Sequence, residues 1–147
     1  MSSALHDRRL GADQPGSNET GLRWSNDSLR RVLLTLGDRD QAPRAEFGAR
    51  VGDTLYARQL MSLDSTLAAE IAVILDRLGL PTRSMAGPAG TDAAMLIVQH
   101  SWPLQERVLA LAKAMPPGQI SPEKLGMLYV CLFEEAGMRV DRGSLPR

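Results

Sequence analysis

The feature that most constrains this chain is an apolar stripe of helical spacing, broken once on each of three helices by a residue that can ionise. Leu29, Val32, Leu33 and Leu36 recur at intervals of three and four, the mark of one helix face, and the next position on that face is Asp40, before Pro43 and Phe47. Leu60 and Leu63 lead to Asp64 before Leu67, Ile71 and Ile74. Ala93, Leu96 and Ile97 lead to His100. One polar residue on an apolar face is ordinary. Three of complementary type, one per helix, predict a shared polar cluster, because each would be costly to desolvate without a partner.

The stripes imply an all-α fold, a bundle of about five helices in one domain. Residues 1–23 are polar and rich in Gly, Ser, Asn and Asp, which suggests a disordered leader. The helical domain is expected over 24–140, with an irregular tail at 141–147. Ser25 or Asp27 can cap a first helix running to about Phe47, with a kink near Ala42 ahead of Pro43. The second helix spans about Asp53 to Leu78 and stops at Gly79. A loop, Leu80 to Pro88, precedes a third helix that begins near Ala89–Asp92 and ends near Trp102–Pro103. The fourth covers about Leu104 to Met115. The fifth starts with Ser121 as cap and Pro122 at the first position, and stops at Gly137. Between Leu125 and Phe133 it is apolar almost all round, as expected of the central helix or of a homodimer contact.

Charge and composition exclude several functions. The 17 basic and 17 acidic residues cancel, and aromatics are 4% of the chain. With no basic stripe and few aromatics, a nucleic-acid partner is not expected. No run of about 18 apolar residues is present to span a membrane, and the N-terminus has no secretory core segment. The one cysteine, Cys131, cannot form a disulfide within the chain, which fits a reducing, cytoplasmic setting. It reads as a packed thiol and not a nucleophile. There is no glycine-rich phosphate loop, and although two Asp and one His could in principle hold a divalent metal, their spacing carries no metal signature, so neither cofactor nor metal is expected. His6, in the leader, is given no role.

His100 is either a general acid or base set by a neighbouring carboxylate, or a core histidine donating to a backbone carbonyl. Asp40 and Arg44 lie four apart on one face and can pair. Asp64 adjoins Ser65 and Thr66, which offer it local hydrogen bonds. Arg83 precedes a helix start, where an arginine and free amides can hold an anion.

The run Asp40-Gln41-x-x-Arg44, then Gly79-x-Pro81-Thr82-Arg83-Ser84-x-x-Gly87, then Ala94-x-Leu96-Ile97-Val98-Gln99-His100, resembles the bacterial domain-of-unknown-function family six-six-two-four. The resemblance covers about Leu29 to Gly143. It implies an all-α fold and no established reaction. It also implies that Asp40, Gln41, Arg44, Asp64, Arg83, Gln99 and His100 occupy the family's motif positions. The chain departs from that pattern where family members carry an Asp-Arg pair and this one has Val130-Cys131. It departs again where they carry Tyr-Gly-Thr-Gln and this one has Arg142-Gly143-Ser144-Leu145, and where an Asn is replaced by Leu67.

Two readings follow. In the first, His100 is the acid or base, Asp40 or Asp64 orients it, and Arg44, Gln41, Arg83 and Gln99 bind a small-molecule substrate. The apolar replacements at Val130, Cys131 and Leu145 would widen the pocket. A cofactor-free cyclisation, isomerisation, elimination or hydrolysis in biosynthesis fits this reading. In the second, the chain is a non-catalytic binding or interaction protein that keeps the cluster as a structural network.

Overall fold

The computed structural model describes residues 26–143, with side chains described through Leu132; the expected leader at 1–23, and residues 144–147 with Leu145, lie outside the described residues. Five α-helices form: α1 (Asp27–Arg44), α2 (Thr54–Leu78), α3 (Arg83–Val98), α4 (Trp102–Lys113) and α5 (Pro122–Gly143), with a short 3-10 turn (Phe47–Arg50) between the first two. No strand occurs among the described residues, and none of the helices there is long and apolar enough to cross a membrane.

Local chemistry sets the helix ends. Asn26 caps α1, its Oδ1 accepting from Leu29 N at 2.8 Å. Sequence reading placed the cap at Ser25 or Asp27. All three side chains can cap, and the choice falls to Asn26 because its own N–H is anchored on Met85 O, 2.9 Å away. Pro43 lies inside the last turn of α1, which ends at Arg44 with Ala45 as its C-cap. Phe47 therefore belongs to the following 3-10 turn and not to α1. Asp53 caps α2, accepting from Tyr56 N at 3.0 Å. Gly79, at φ 79°, closes it with its N–H on Leu75 O at 3.1 Å.

The expected loop from Leu80 to Pro88 is shorter than the sequence suggested. Arg83–Ala86 already form one helical turn, and Gly87, at φ 72°, bends the chain before Pro88 starts the longer segment. Only glycine reaches that backbone region at no steric cost, and proline, lacking an N–H, is at home in the first turn that follows. The fifth helix continues through Gly137 to Gly143. A glycine inside a helix costs only about 1 kcal/mol relative to alanine and does not by itself end it.

The central helix is α3, not α5. Ala86, Gly90, Ala93, Ala94, Met95, Ile97 and Val98 are all buried on it, and it touches each of the other four helices. Its small residues let α1 approach closely. A Cβ at Gly37 would stand 2.9 Å from Ala93 Cβ, and one at Gly90 would stand 3.4 Å from Arg30 Cα. The core then closes around Leu33, Leu67, Ile71, Val108 and Leu128, each fully buried. Gly37→Leu is expected to push α1 from α3 and cost about 1–3 kcal/mol through overpacking, read as a lower urea midpoint with α-helical circular dichroism retained. A midpoint equal to the parent's would show that the crossing is not tight.

The cap of α2 has a pH signature. Asp53 is held below the usual carboxylate range, first by the Tyr56 backbone N–H it accepts and then by Arg50, whose Nη2 lies 2.8 Å away. A carboxylate lowered in the folded state stabilises it above its unfolded pKa, and that contribution is lost as pH falls through the lower folded value. The stability gap between the parent and Asp53→Asn is therefore expected to be constant near neutrality and to close below about pH 4. A gap independent of pH would contradict the assignment.

Candidate functional site

Asp40 and Asp64 stand on α1 and α2, as their stripes require. His100 does not stand on α3. The helix ends at Val98, and His100 N and Ser101 N bond to Ile97 O and Val98 O, each at 3.1 Å, in a tightened turn. The turn ends α3 earlier than expected because Ser101 takes an extended conformation and Pro103 sits in the first turn of α4. His100 thus occupies a corner between two helices, and the corner aims its ring at α1.

Asp40 is fully buried and anchors the cluster. Its Oδ1 lies 3.0 Å from His100 Nδ1, and its Oδ2 accepts from Gln41 Nε2 at 2.6 Å. Arg44, one turn along α1, fans its guanidinium across the other members. Its Nη2 pairs with Asp64 Oδ1 and lies 3.6 Å from Asp40 Oδ1. Its Nε points at His100 Nε2 from 3.4 Å, and Nη1 donates to Asp40 O at 3.3 Å. Tyr56, also buried, donates its hydroxyl to Pro43 O and fixes this last turn of α1 against α2.

The tautomer of His100 follows from these partners. A carboxylate only accepts and a guanidinium only donates. The neutral ring therefore carries its proton on Nδ1, facing Asp40, and presents the Nε2 lone pair toward Arg44. The bond at Nδ1 is a charge-assisted one of ordinary length; the 3.4 Å contact at Nε2 is long and weak.

Exposure falls off across the cluster. The Asp40 side chain is 1% exposed, Arg44 17%, Asp64 23% and His100 26%. Two open clefts meet at the exposed edge and share Asp64 and His100. One, of about 360 Å³, is walled by Met61, Ala68, Trp102 and Pro103. The other, of about 450 Å³, is walled by Arg44, Phe47 and Leu60.

Sequence spacing carried no metal signature, yet the fold brings one ligand atom each of Asp40, Asp64 and His100 within 4.8 Å of one another. The Arg44 guanidinium stands among these atoms and supplies the positive charge that the two carboxylates require. A divalent cation would have to displace it.

Of the expected substrate-binding residues, Arg44 joins the cluster and Gln41 is spent on Asp40. Gln99 adjoins the corner, with Oε1 buried and unpartnered, while its backbone carbonyl accepts from Gln105 Nε2 at 2.6 Å. Arg83 is not part of the site. It opens α3, tied by its N–H to Gln119 O, and the stretch from Pro88 to Val98 alone puts about 15 Å of helix between it and His100. Val130 is exposed on α5 and Cys131 half-buried; neither lines the two clefts. Gln105 was missed. It is buried beside Leu104, Val108 and Leu109, so a polar break in an apolar stripe marks it as it marked Asp40.

No family model, curated protein or solved structure matches the chain.

Proposed function

We propose that this chain is an acid–base enzyme acting on a small molecule, with His100 as the proton-transfer group. Asp40 would be its orienting partner, and the Asp64–Arg44 pair would position the substrate. The observation that carries the reading is the buried Asp40 carboxylate 3.0 Å from His100 Nδ1. Such a carboxylate fixes the ring and its tautomer and steadies the imidazolium that forms during proton transfer. The opposite nitrogen is then left at the junction of two clefts. Among the described residues, the weak Arg44 contact is the one made to it, and a rotation of that side chain would uncover it. Further support comes from the resemblance to family six-six-two-four, since five of the positions it implies, Asp40, Gln41, Arg44, Asp64 and His100, interlock. Cyclisation, isomerisation, elimination and hydrolysis each need a proton moved at one positioned atom, and any of them suits a single imidazole.

The second reading, a binding module with an inherited polar network, draws on a different observation. Arg44 reaches both carboxylates and the imidazole, so the cluster neutralises much of its own charge without a ligand. One experiment separates the two readings. In a His6→Ala background His100 is the sole histidine. Its imidazole is acylated with diethyl pyrocarbonate, and turnover is followed on a panel of esters, lactones, β-hydroxy ketones and epoxides. Turnover of at least one class, lost on acylation and restored by hydroxylamine, is expected. A chain that turns over none of them, or whose turnover ignores acylation, contradicts the enzyme reading.

A further inference from the structure

We infer that the paired clefts take a small hydrophobic organic cation, an aryl- or alkylammonium, and discriminate against anions of the same shape. The inference rests on the reading that the small molecule sits at His100.

The charge of the cluster comes first. Among the described residues, Asp40 and Asp64 bring two carboxylates together, and Arg44 supplies the guanidinium that reaches both. Arg44 is therefore no anion receptor: its donors are already directed at Asp64, His100 and the Asp40 carbonyl. An incoming carboxylate or phosphate would have to break these contacts and would face two carboxylates in their place. An ammonium need break nothing. Asp64 Oδ1 is taken by Arg44, but its carboxylate is only partly buried and lines both clefts, offering its second oxygen to a donor.

The walls supply the second argument. Phe47 and Met61, 57% and 69% exposed, line the two clefts together with the half-buried Trp102 and Leu60. Apolar side chains left this open beside a carboxylate suit a ligand with a greasy body and a positive end. Aromatic faces add a quadrupole attraction for such a cation.

Three probes of one shape test this: phenethylammonium, 2-phenylethanol and phenylacetate, each titrated into the full chain by calorimetry and by amide chemical shifts. The ammonium is expected to bind about tenfold or more tighter than the acetate, with the alcohol between them and shifts centred on Asp64, His100 and Phe47. Raising the salt should narrow the gap. Asp64→Asn should abolish the preference and Phe47→Ala should weaken the ammonium several-fold. The salt series on the parent chain keeps the test decisive should Asp64→Asn fail to fold. Equal or tighter binding of phenylacetate, absence of phenethylammonium binding, or a preference insensitive to salt overturns the inference. Ammonium binding with no turnover on any substrate would sink the enzyme reading alone. Turnover of an anionic substrate at His100 would sink this inference and leave the enzyme reading standing.

Discussion

Arg44→Met is expected to lower the unfolding free energy by about 3–5 kcal/mol, the usual result of stranding one partner of a buried ion pair. The stranded group is Asp40, whose side chain is 1% exposed and which keeps, among the described residues, Gln41 and His100 as donors. Methionine fills much of the arginine volume, so lost packing contributes little. The value should fall toward the lower end of the range, because Arg44 retains some contact with water. Asp64→Asn should cost clearly less, since its carboxylate already reaches solvent and amide and guanidinium can share its place. The double variant Asp40→Leu with Arg44→Met should recover most of the loss, because apolar side chains of similar volume replace buried ion pairs at little or no cost. Urea unfolding of the four chains measures all of this. Equal effects of Arg44→Met and of an exposed substitution such as Arg31→Met would show that the cluster contributes nothing to the fold.

His100→Gln is expected to reduce turnover by about 100- to 10,000-fold, the usual loss for a general acid–base group, while moving the melting temperature little. Glutamine retains a donor that can reach the Asp40 carboxylate, and His100 sits in a turn and not inside a helix. What glutamine cannot do is hold and release a proton near neutral pH. The structural alternative predicts the reverse: a buried acceptor left poorly paired, about 1–3 kcal/mol of stability lost, and no change in turnover. Thermal melts and rates on one purified variant distinguish the two.

The cluster was legible in the sequence because desolvation penalises a charge on an apolar stripe whatever the fold. That argument needs no knowledge of topology, and it found Asp40 and Asp64 on the faces where they lie. His100 was found by the same count of three, but the helix had already ended at Val98. The turn happens to carry the ring where one more helical step would have pointed it. Helix direction was harder to read. The central position of α3 comes from Gly90, Ala86, Ala93 and Ala94, residues whose value is the close approach they permit and which add little to a hydrophobic pattern. The fifth helix, apolar almost all round between Leu125 and Phe133, was read as either the central helix or a homodimer contact; it is not the centre, and Met127, Tyr129 and Val130 remain exposed on it. The cap of α1 was sought at Ser25 or Asp27 and lies at Asn26 between them, because all three side chains can cap and the tertiary anchor at Met85 selects Asn26. Arg83 was grouped with the site as an arginine ahead of a helix start and as a position the resemblance implies, but it stands at the opposite end of α3 from the His100 corner.

The central claim is that Asp40 fixes His100 as the Nδ1–H tautomer with its Nε2 turned to the clefts. Long-range proton–nitrogen correlation of the imidazole, recorded in the His6→Ala background at a pH where the ring is neutral, tests it most directly. The account predicts a protonated Nδ1, an unprotonated Nε2, and a ring proton shifted downfield by the carboxylate. A ring protonated on Nε2, or one averaging between tautomers as a free imidazole does, would contradict it.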